Sequence, residues 1–321
     1  MHTTTNSSVL IRSEVWSNEL KEALLDELQA TKYVDWLSNF PDGTTFTVPS
    51  IGEATVRDYV EDSPVKYDAL DTGEFQFTIT EYLQSGAYIT QKARQDLFYA
   101  ARLEAAFVPK QLRALMEKVE TDIMALGAGG ASGGQTASNK NAINGADHRW
   151  VASGTSETMA VADFAKALYS LKKANVPDRN LIAIVDPSVE YAINTLSNLT
   201  SVSNNPKWEG IITSGIASGM RFVKNVYGFD VYTSNYLADA NETITASTGG
   251  AKTTAAGKAN LFFSADASVL PFMGAWRQMP KVDGEFNKDF QREEYVVTAR
   301  YGLKVYRPEN LVVVLSDTDQ V

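Results

Sequence analysis

The chain has no cysteine and only two histidines, His2 and His148. Without cysteine there are no disulfides, no zinc–thiolate sites and no thiol nucleophile. Two distant histidines leave little for a triad or a metal centre, so His148, in a loop beside Arg149, reads as a loop residue. Long apolar runs are missing too. The most hydrophobic segments, "LIAIV" at Leu181–Val185 and "LVVVL" at residues 311–315, have the length of strands and fall far short of a membrane span. The opening "MHTTTNSSVLIRSEVW" has neither a basic nor an apolar region of the secretory kind. Positive charge is also scarce: the formal net charge is −10, which excludes a protein whose main task is gripping nucleic acid. It leaves room for one that encloses nucleic acid without adhering to it.

What remains is a chain of 321 residues, 44% hydrophobic, with core enough for two domains or subdomains. Residues 1–12 read as a polar arm. Ser13 and Glu14 open a helix whose stripe is Trp16, Leu20, Leu24 and Leu28. Its polar face, with Glu19, Glu22, Asp26 and Glu27 around Lys21, is too acidic for a membrane binder and favours a protein contact. Pro41-Asp42-Gly43 makes a turn. Then "TTFTVPS" (44–50) and "EFQFTITEY" (74–82) alternate as strands. Between them lies a charged excursion short of core residues. A two-stranded excursion of that length is marginal in water by itself, so it is expected to lie on something else. Its carboxylates Asp58, Glu61, Asp62, Asp68 and Asp71, with Tyr59, Arg57 and Lys66, lack the spacing of a calcium loop and read as a solvated or subunit-facing strip.

The strongest periodicity follows. Leu97, Ala101, Ala105, Val108, Leu112, Leu115, Val119, Ile123 and Leu126 recur every three or four residues, one helix stripe ~45 Å long. Pro109 predicts a kink or break within it. "GAGGASGGQTASNKNAINGADH" (127–148) reads as a flexible linker and domain boundary. It lacks the Lys-Ser/Thr of a P-loop, and a helix precedes it where a dinucleotide fingerprint needs a strand. Beyond it come a helix over 161–174, a strand at Leu181–Val185, a helix opening at Asp186-Pro187-Ser188, and two short strands around Gly228. Serines between glycines match no nucleophile elbow. The closing "EEYVVTARYGLKVYRPENLVVVLSD" (293–317) reads as two strands joined by a turn at 307–310. Nothing in the chain is catalytic, cofactor-binding or metal-ligating by pattern.

In this order of elements, and in the phrases "VYGFDVYTSNYL" with its Ser234-Asn235 turn and "REEYVVTARYGLKVYRPENLVVVL", the chain resembles the major capsid proteins of tailed bacteriophages, the Hong Kong 97 type of fold, from about Ser13 to Asp317. The resemblance implies an α+β fold with an N-terminal arm (1–43), an extended loop or E-loop (44–82), and a peripheral domain (83–150 and 274–321) with a spine helix over 97–126. An apical domain covers 151–273. It implies that the C-terminal strand completes the peripheral sheet beside the spine helix. It implies no enzymatic activity, and self-assembly as hexamers and pentamers into an icosahedral shell around double-stranded DNA, contacted non-specifically. Implied partners are a separate scaffolding protein, a portal protein and, optionally, a decoration or cement protein. The chain would be synthesised in the host cytoplasm and reside in the virion. Subunit-contact candidates are Trp16, Leu20, Leu24, Arg57, Asp58, Tyr59, Glu61, Asp62, Lys66, Asp68 and Asp71. Lys66 is the one lysine of the loop, but no partner for an isopeptide cross-link matches, so none is expected. The alternatives are an encapsulin-like nanocompartment shell and, more remotely, a two-domain α/β enzyme or binding protein with its site in a cleft near Asp186 and Ser188.

Overall fold

A computed structural model describes residues 28, 30–37, 45–51, 56, 58, 61–62, 64, 72–96, 100–130, 133–195, 222–240, 242–245, 251–253 and 257–317. The N-terminal helix expected from Trp16, Leu20 and Leu24 lies outside them.

Two larger sheets organise these residues. The first has four strands in the order Val34–Leu37, Phe272–Asn287, Arg292–Val305, Glu81–Thr90, antiparallel except for the parallel pair at Val34–Leu37. The second has seven strands. Its main path runs Arg149–Val151, Val312–Asp317, Gly257–Ser264, Leu181–Val185, Phe229–Thr233, Phe222–Val226, and Asp239–Ala240 pairs beside Gly257–Ser264. The expected pair of strands around Gly228 is present. Tyr227 and Gly228 both take positive φ (50° and 89°), the geometry of a tight hairpin turn of the primed kind.

The seven-stranded sheet explains the continuous apolar runs. On one face Ile182, Ile184, Val313 and Leu315 join a core with Leu115, Val119, Ile123 and Met124 of the long helix Ala100–Ala125. On the other, Leu181, Ala183, Val185, Val312 and Val314 meet Phe164, Ala167 and Leu171 of the helix Val161–Lys173, and Val189 and Ile193 of the helix Pro187–Thr195. A strand buried on both faces has no position left for a polar alternation. In the four-stranded sheet Val297, Ala299 and Tyr301 alternate toward the long helix as a half-buried strand should.

Three expectations are corrected. The strand Val312–Asp317 does not complete the sheet beside Arg292–Val305. The turn at Pro308–Asn310 carries the chain into the seven-stranded sheet, between Arg149–Val151 and Gly257–Ser264. Both of its faces are apolar, and that sheet is covered by helices on both sides. The long helix runs through Pro109 as one element, with Pro109 on the exposed side. Of the expected stripe, Leu97 and the side chains of Ala101 and Ala105 lie outside the described residues, and the part after Pro109 holds except at one position. Leu115, Val119, Ile123 and Leu126 are buried, whereas Leu112 is 39% exposed and Gln111 is buried instead, its Nε2 donating to Tyr295 O at 3.2 Å. Finally, the glycine-rich stretch after the helix is packed. Gln135 N donates to Leu126 O and Gly130 N to Gln135 O. A Cβ on Gly127 would stand 2.2 Å from Leu261 Cδ2, and one on Gly129 2.5 Å from Ala137 Cα. The small residues permit close approach of backbone to core.

Candidate subunit-contact surface

The hairpin Thr45–Ile51/Thr72–Thr78 forms a two-stranded sheet of its own. Its base is docked on the face of the four-stranded sheet opposite the long helix. Phe75 meets Tyr306 edge-on at 5.0 Å and packs with Met273, Ala275 and Leu37. Lys304 Nζ lies 4.7 Å above the Phe75 ring and donates to Gln76 O at 2.6 Å. Beyond the base the described residues are exposed. Val56 is 94% exposed, and Asp58, Glu61, Asp62 and Pro64 are all exposed. The structure therefore places Asp58, Glu61 and Asp62 of the contact candidates on one exposed excursion. The remaining candidates, Trp16, Leu20, Leu24, Arg57, Tyr59, Lys66, Asp68 and Asp71, lie outside the described residues.

A second exposed feature was not read from the sequence. The hairpin Phe272–Asn287/Arg292–Val305 ends in a rigid tip. Asn287 Oδ1 accepts from Asp289 N at 3.1 Å, and Gln91 N donates to Gln291 O at 2.9 Å. The Arg292 guanidinium sits 4.6 Å from the Tyr88 ring and 4.7 Å from the Phe290 ring, and its Nε pairs with Glu294 at 2.5 Å. Phe290 is 66% exposed, and Tyr88 and Phe286 are exposed beside it. Aromatic rings and arginine, pre-ordered and exposed, are the composition of interface anchors. The available signal was "GEFNKDF", two phenylalanines inside a charged run with no buried face to serve.

Behind these surfaces stands one buried charge cluster. Arg149, fully buried on its strand, pairs end-on with Glu242, Nη1 to Oε2 at 2.5 Å and Nη2 to Oε1 at 2.6 Å. Glu242 also accepts from Gly129 N at 2.7 Å and Ser138 N at 3.0 Å. One carboxylate thus ties the glycine-rich loop to the edge of the seven-stranded sheet. Burial alone would raise the Glu242 pKa, but the hydrogen bonds from Arg149 and the two amides outweigh it and hold the carboxyl below its ordinary value.

Asp186, Ser188 and His148, the residues weighed for chemistry in the sequence, have local structural partners. Asp186 Oδ2 accepts from Ser188 N at 2.9 Å and from Ser188 Oγ at 2.6 Å, the first-turn capping of the helix Pro187–Thr195. His148 is fully buried, with Nδ1 3.1 Å from Ala146 O. Among the described residues no group of acidic or histidine side chains is placed to hold a metal, and no helix is long and apolar enough to cross a membrane.

Two sheets, a long helix across both and a protruding hairpin define an α+β shell-protein architecture, and solved structures share it. The chain superposes on the structure from Mycobacterium phage Che8 with a TM-score of 0.65 at 18% identity, covering 95% of this chain and 97% of that one. The capsid structure of the cyanophage P-SCSP1u gives 0.66 at 15% identity over 96% and 93%. The capsid of Ralstonia phage GP4 gives 0.66 at 10% identity over 95% of both. No curated protein matches the chain. The phage capsid protein family model matches residues 71–314, and the chain belongs to that family. It is a capsid protein, structural in role, as the order of its elements implied.

Proposed function

We propose that the chain is the major head protein of a tailed phage, self-assembling as hexamers and pentamers into an icosahedral shell that encloses double-stranded DNA. In this reading the fold is of the Hong Kong 97 type. The long helix is the spine, the protruding hairpin (44–82) the extended loop, and residues 1–43 the arm. The four-stranded sheet with the helix (83–150 and 274–311) makes the peripheral domain. The apical domain takes 151–273 together with the last strand. One observation supports the reading: a family member carries a hairpin whose base is docked on a sheet and whose described outer residues, 56, 58, 61, 62 and 64, are all exposed. A lone monomer gains nothing from such an excursion, since an isolated hairpin is marginal in water. Repeated on a closed lattice of identical chains, it becomes an interface.

The shell would assemble on a separate scaffolding protein, incorporate a portal protein, and in some lineages carry a decoration protein. The acidic balance suits a container whose DNA must enter and leave. The chain would be made in the host cytoplasm and end in the virion, without catalysis, cofactor or cross-link.

The test is negative-stain electron microscopy of the purified chain at high concentration, alone and with its scaffold. Closed shells, tubes or six-membered rings are expected. Shells formed readily without scaffold would shift the assignment to a nanocompartment, and a monodisperse monomer under both conditions would overturn it.

A further inference from the structure

The segment Ala30–Leu37 stands where three parts of the molecule meet. It opens as a short 3-10 turn, Ala30–Tyr33, and continues as the strand Val34–Leu37 along Phe272 to Ala275. Tyr33 sets its ring edge-on to Phe263 of the seven-stranded sheet at 5.1 Å. Trp36 stacks on Trp276 of the four-stranded sheet at 4.8 Å and 19°, so close to the backbone that a Cβ on Gly274 would stand 2.7 Å from its ring. The long helix supplies the third hold. Ala30 N donates to both carboxylate oxygens of Glu120, at 2.8 and 2.9 Å. Ala30 is 1% exposed and Glu120 is fully buried.

A buried carboxylate is a costly acceptor for a backbone amide, because it must be stripped of water, whereas a neutral oxygen would serve. What it adds is strength and geometry. A charge-assisted bond is roughly twice as strong as a neutral one, and an N–H placed between two equivalent oxygens is fixed in direction. The fixed point is also special in the chain. Residues 1–29 lead into Ala30, and the protruding hairpin begins at Thr45, shortly after Leu37. Both stretches expected to reach neighbouring subunits therefore leave from one pinned segment. The pin at its N-terminal end belongs to the long helix.

We infer that Glu120 is a positioning residue that sets the direction in which the N-terminal segment leaves the body. Through it the arm turns with the long helix as subunits take different places in the shell. The inference rests on the reading of the chain as a shell subunit. The strand pairing and the Tyr33 and Trp36 contacts hold the rest of the segment without Glu120, so its loss loosens the first turn and spares the fold.

The test compares Glu120→Gln with the wild-type full chain by hydrogen exchange, thermal unfolding and electron microscopy of assembled particles. The expected result is a local one. Exchange at residues 30–33 rises about ten- to a hundred-fold, as for loss of a hydrogen bond to a charged group. Exchange at residues 34–37 stays put, the unfolding midpoint falls by no more than the few degrees that one bond is worth, and particles lose their uniform diameter. Ala30→Pro approaches the same bond from the other side, removing the donor at a first-turn position that accepts proline while leaving Glu120 charged. It decides the matter where Glu120→Gln unfolds globally. Wild-type exchange at residues 31–33 together with wild-type particles in both variants would overturn the inference. If the wild-type chain forms no particles, the shell reading falls, and the exchange data alone decide whether Glu120 holds the turn.

Discussion

At the scale of single residues, the interior is held by a few polar groups whose partners lie far away in sequence. Arg149 and Glu242 are the clearest. Breaking a buried pair from one side leaves an uncompensated charge, which costs about 3–5 kcal/mol, whereas replacing both partners by apolar residues of similar volume is often close to neutral. Arg149→Met is therefore expected to lower the unfolding free energy by about 3–5 kcal/mol in urea titrations, and Arg149→Met/Glu242→Leu to recover part of it, the Gly129 and Ser138 amides losing their acceptor. A double variant as unstable as the sum of the singles would show that the pair is not coupled. His148 next door adds a pH dependence of known sign. Burial lowers its pKa from 6.5, against the opposing pull of the Ala146 carbonyl and of Glu309 and Asp147. The unfolded chain then binds a proton that the folded chain refuses, so stability falls as pH drops below about 6.5 toward the folded pKa. Glu242 acts in a separate window, because its depressed pKa gives stability that is lost only below about 4.5. Unfolding free energies measured from pH 7 to pH 5 should decline in the wild type and decline less in His148→Asn. A flat wild-type profile across that range would contradict the assignment of a neutral buried imidazole.

At the scale of elements, the glycine-rich stretch after the long helix separates packing from flexibility. Gly133 has φ +74°, and a Cβ there would stand 2.6 Å from Leu303 O, a backbone atom that cannot rotate away. Gly130 has φ +88° but nothing within 4 Å of the same position. Gly130→Ala should cost only the left-handed conformational penalty, about 1–2 kcal/mol. Gly133→Ala should cost about 1–3 kcal/mol more for the clash, read by chemical denaturation. Equal losses would mean that the loop is free to move, as its composition alone predicts. The same contrast marks what the sequence could and could not tell. The doubly buried runs 181–185 and 311–315, the turn at Gly228 and the second half of the long helix were legible because period and turn chemistry are local. The strand Glu81–Thr90 was cut short at Tyr82 because Ser85, Gly86 and Ala87 carry no amphipathic contrast. The sheet that Val312–Asp317 would join was not legible either. An apolar strand declares that both its faces are covered, not which layer covers them. Of the contact surface, the acidic excursion was visible as a segment without a core. Glu242 and Glu120 were not, since their partners lie 93 and 90 residues away.

At the scale of the whole molecule, the proposed shell role has fold and assembly drawing on different residues, and that separation can be measured. The cores lie around the long helix and beneath the helices Val161–Lys173 and Pro187–Thr195, while the outer part of the protruding hairpin adds nothing described to either. Its base is tied by Phe75, Tyr306 and Lys304. Replacing residues 52–71 by a short glycine-containing turn would keep that base and the pairing of Thr45–Ile51 with Thr72–Thr78. Shortening a connection changes closure entropy slowly, by about 0.6 kcal/mol per halving, so the monomer's unfolding free energy should move by only about 1–2 kcal/mol. Assembly should respond quite differently. A shell multiplies each contact over its whole lattice, so losing one repeated interface removes it at every subunit at once. Sedimentation at matched concentration should then find the wild-type chain in large particles and the shortened chain in small oligomers or monomers of little-changed thermal stability. If the shortened chain builds particles as well as the wild type does, the hairpin is not an assembly contact. The exposed aromatic tip around Tyr88, Phe290 and Arg292 would then be the surface left to explain how copies of this chain meet.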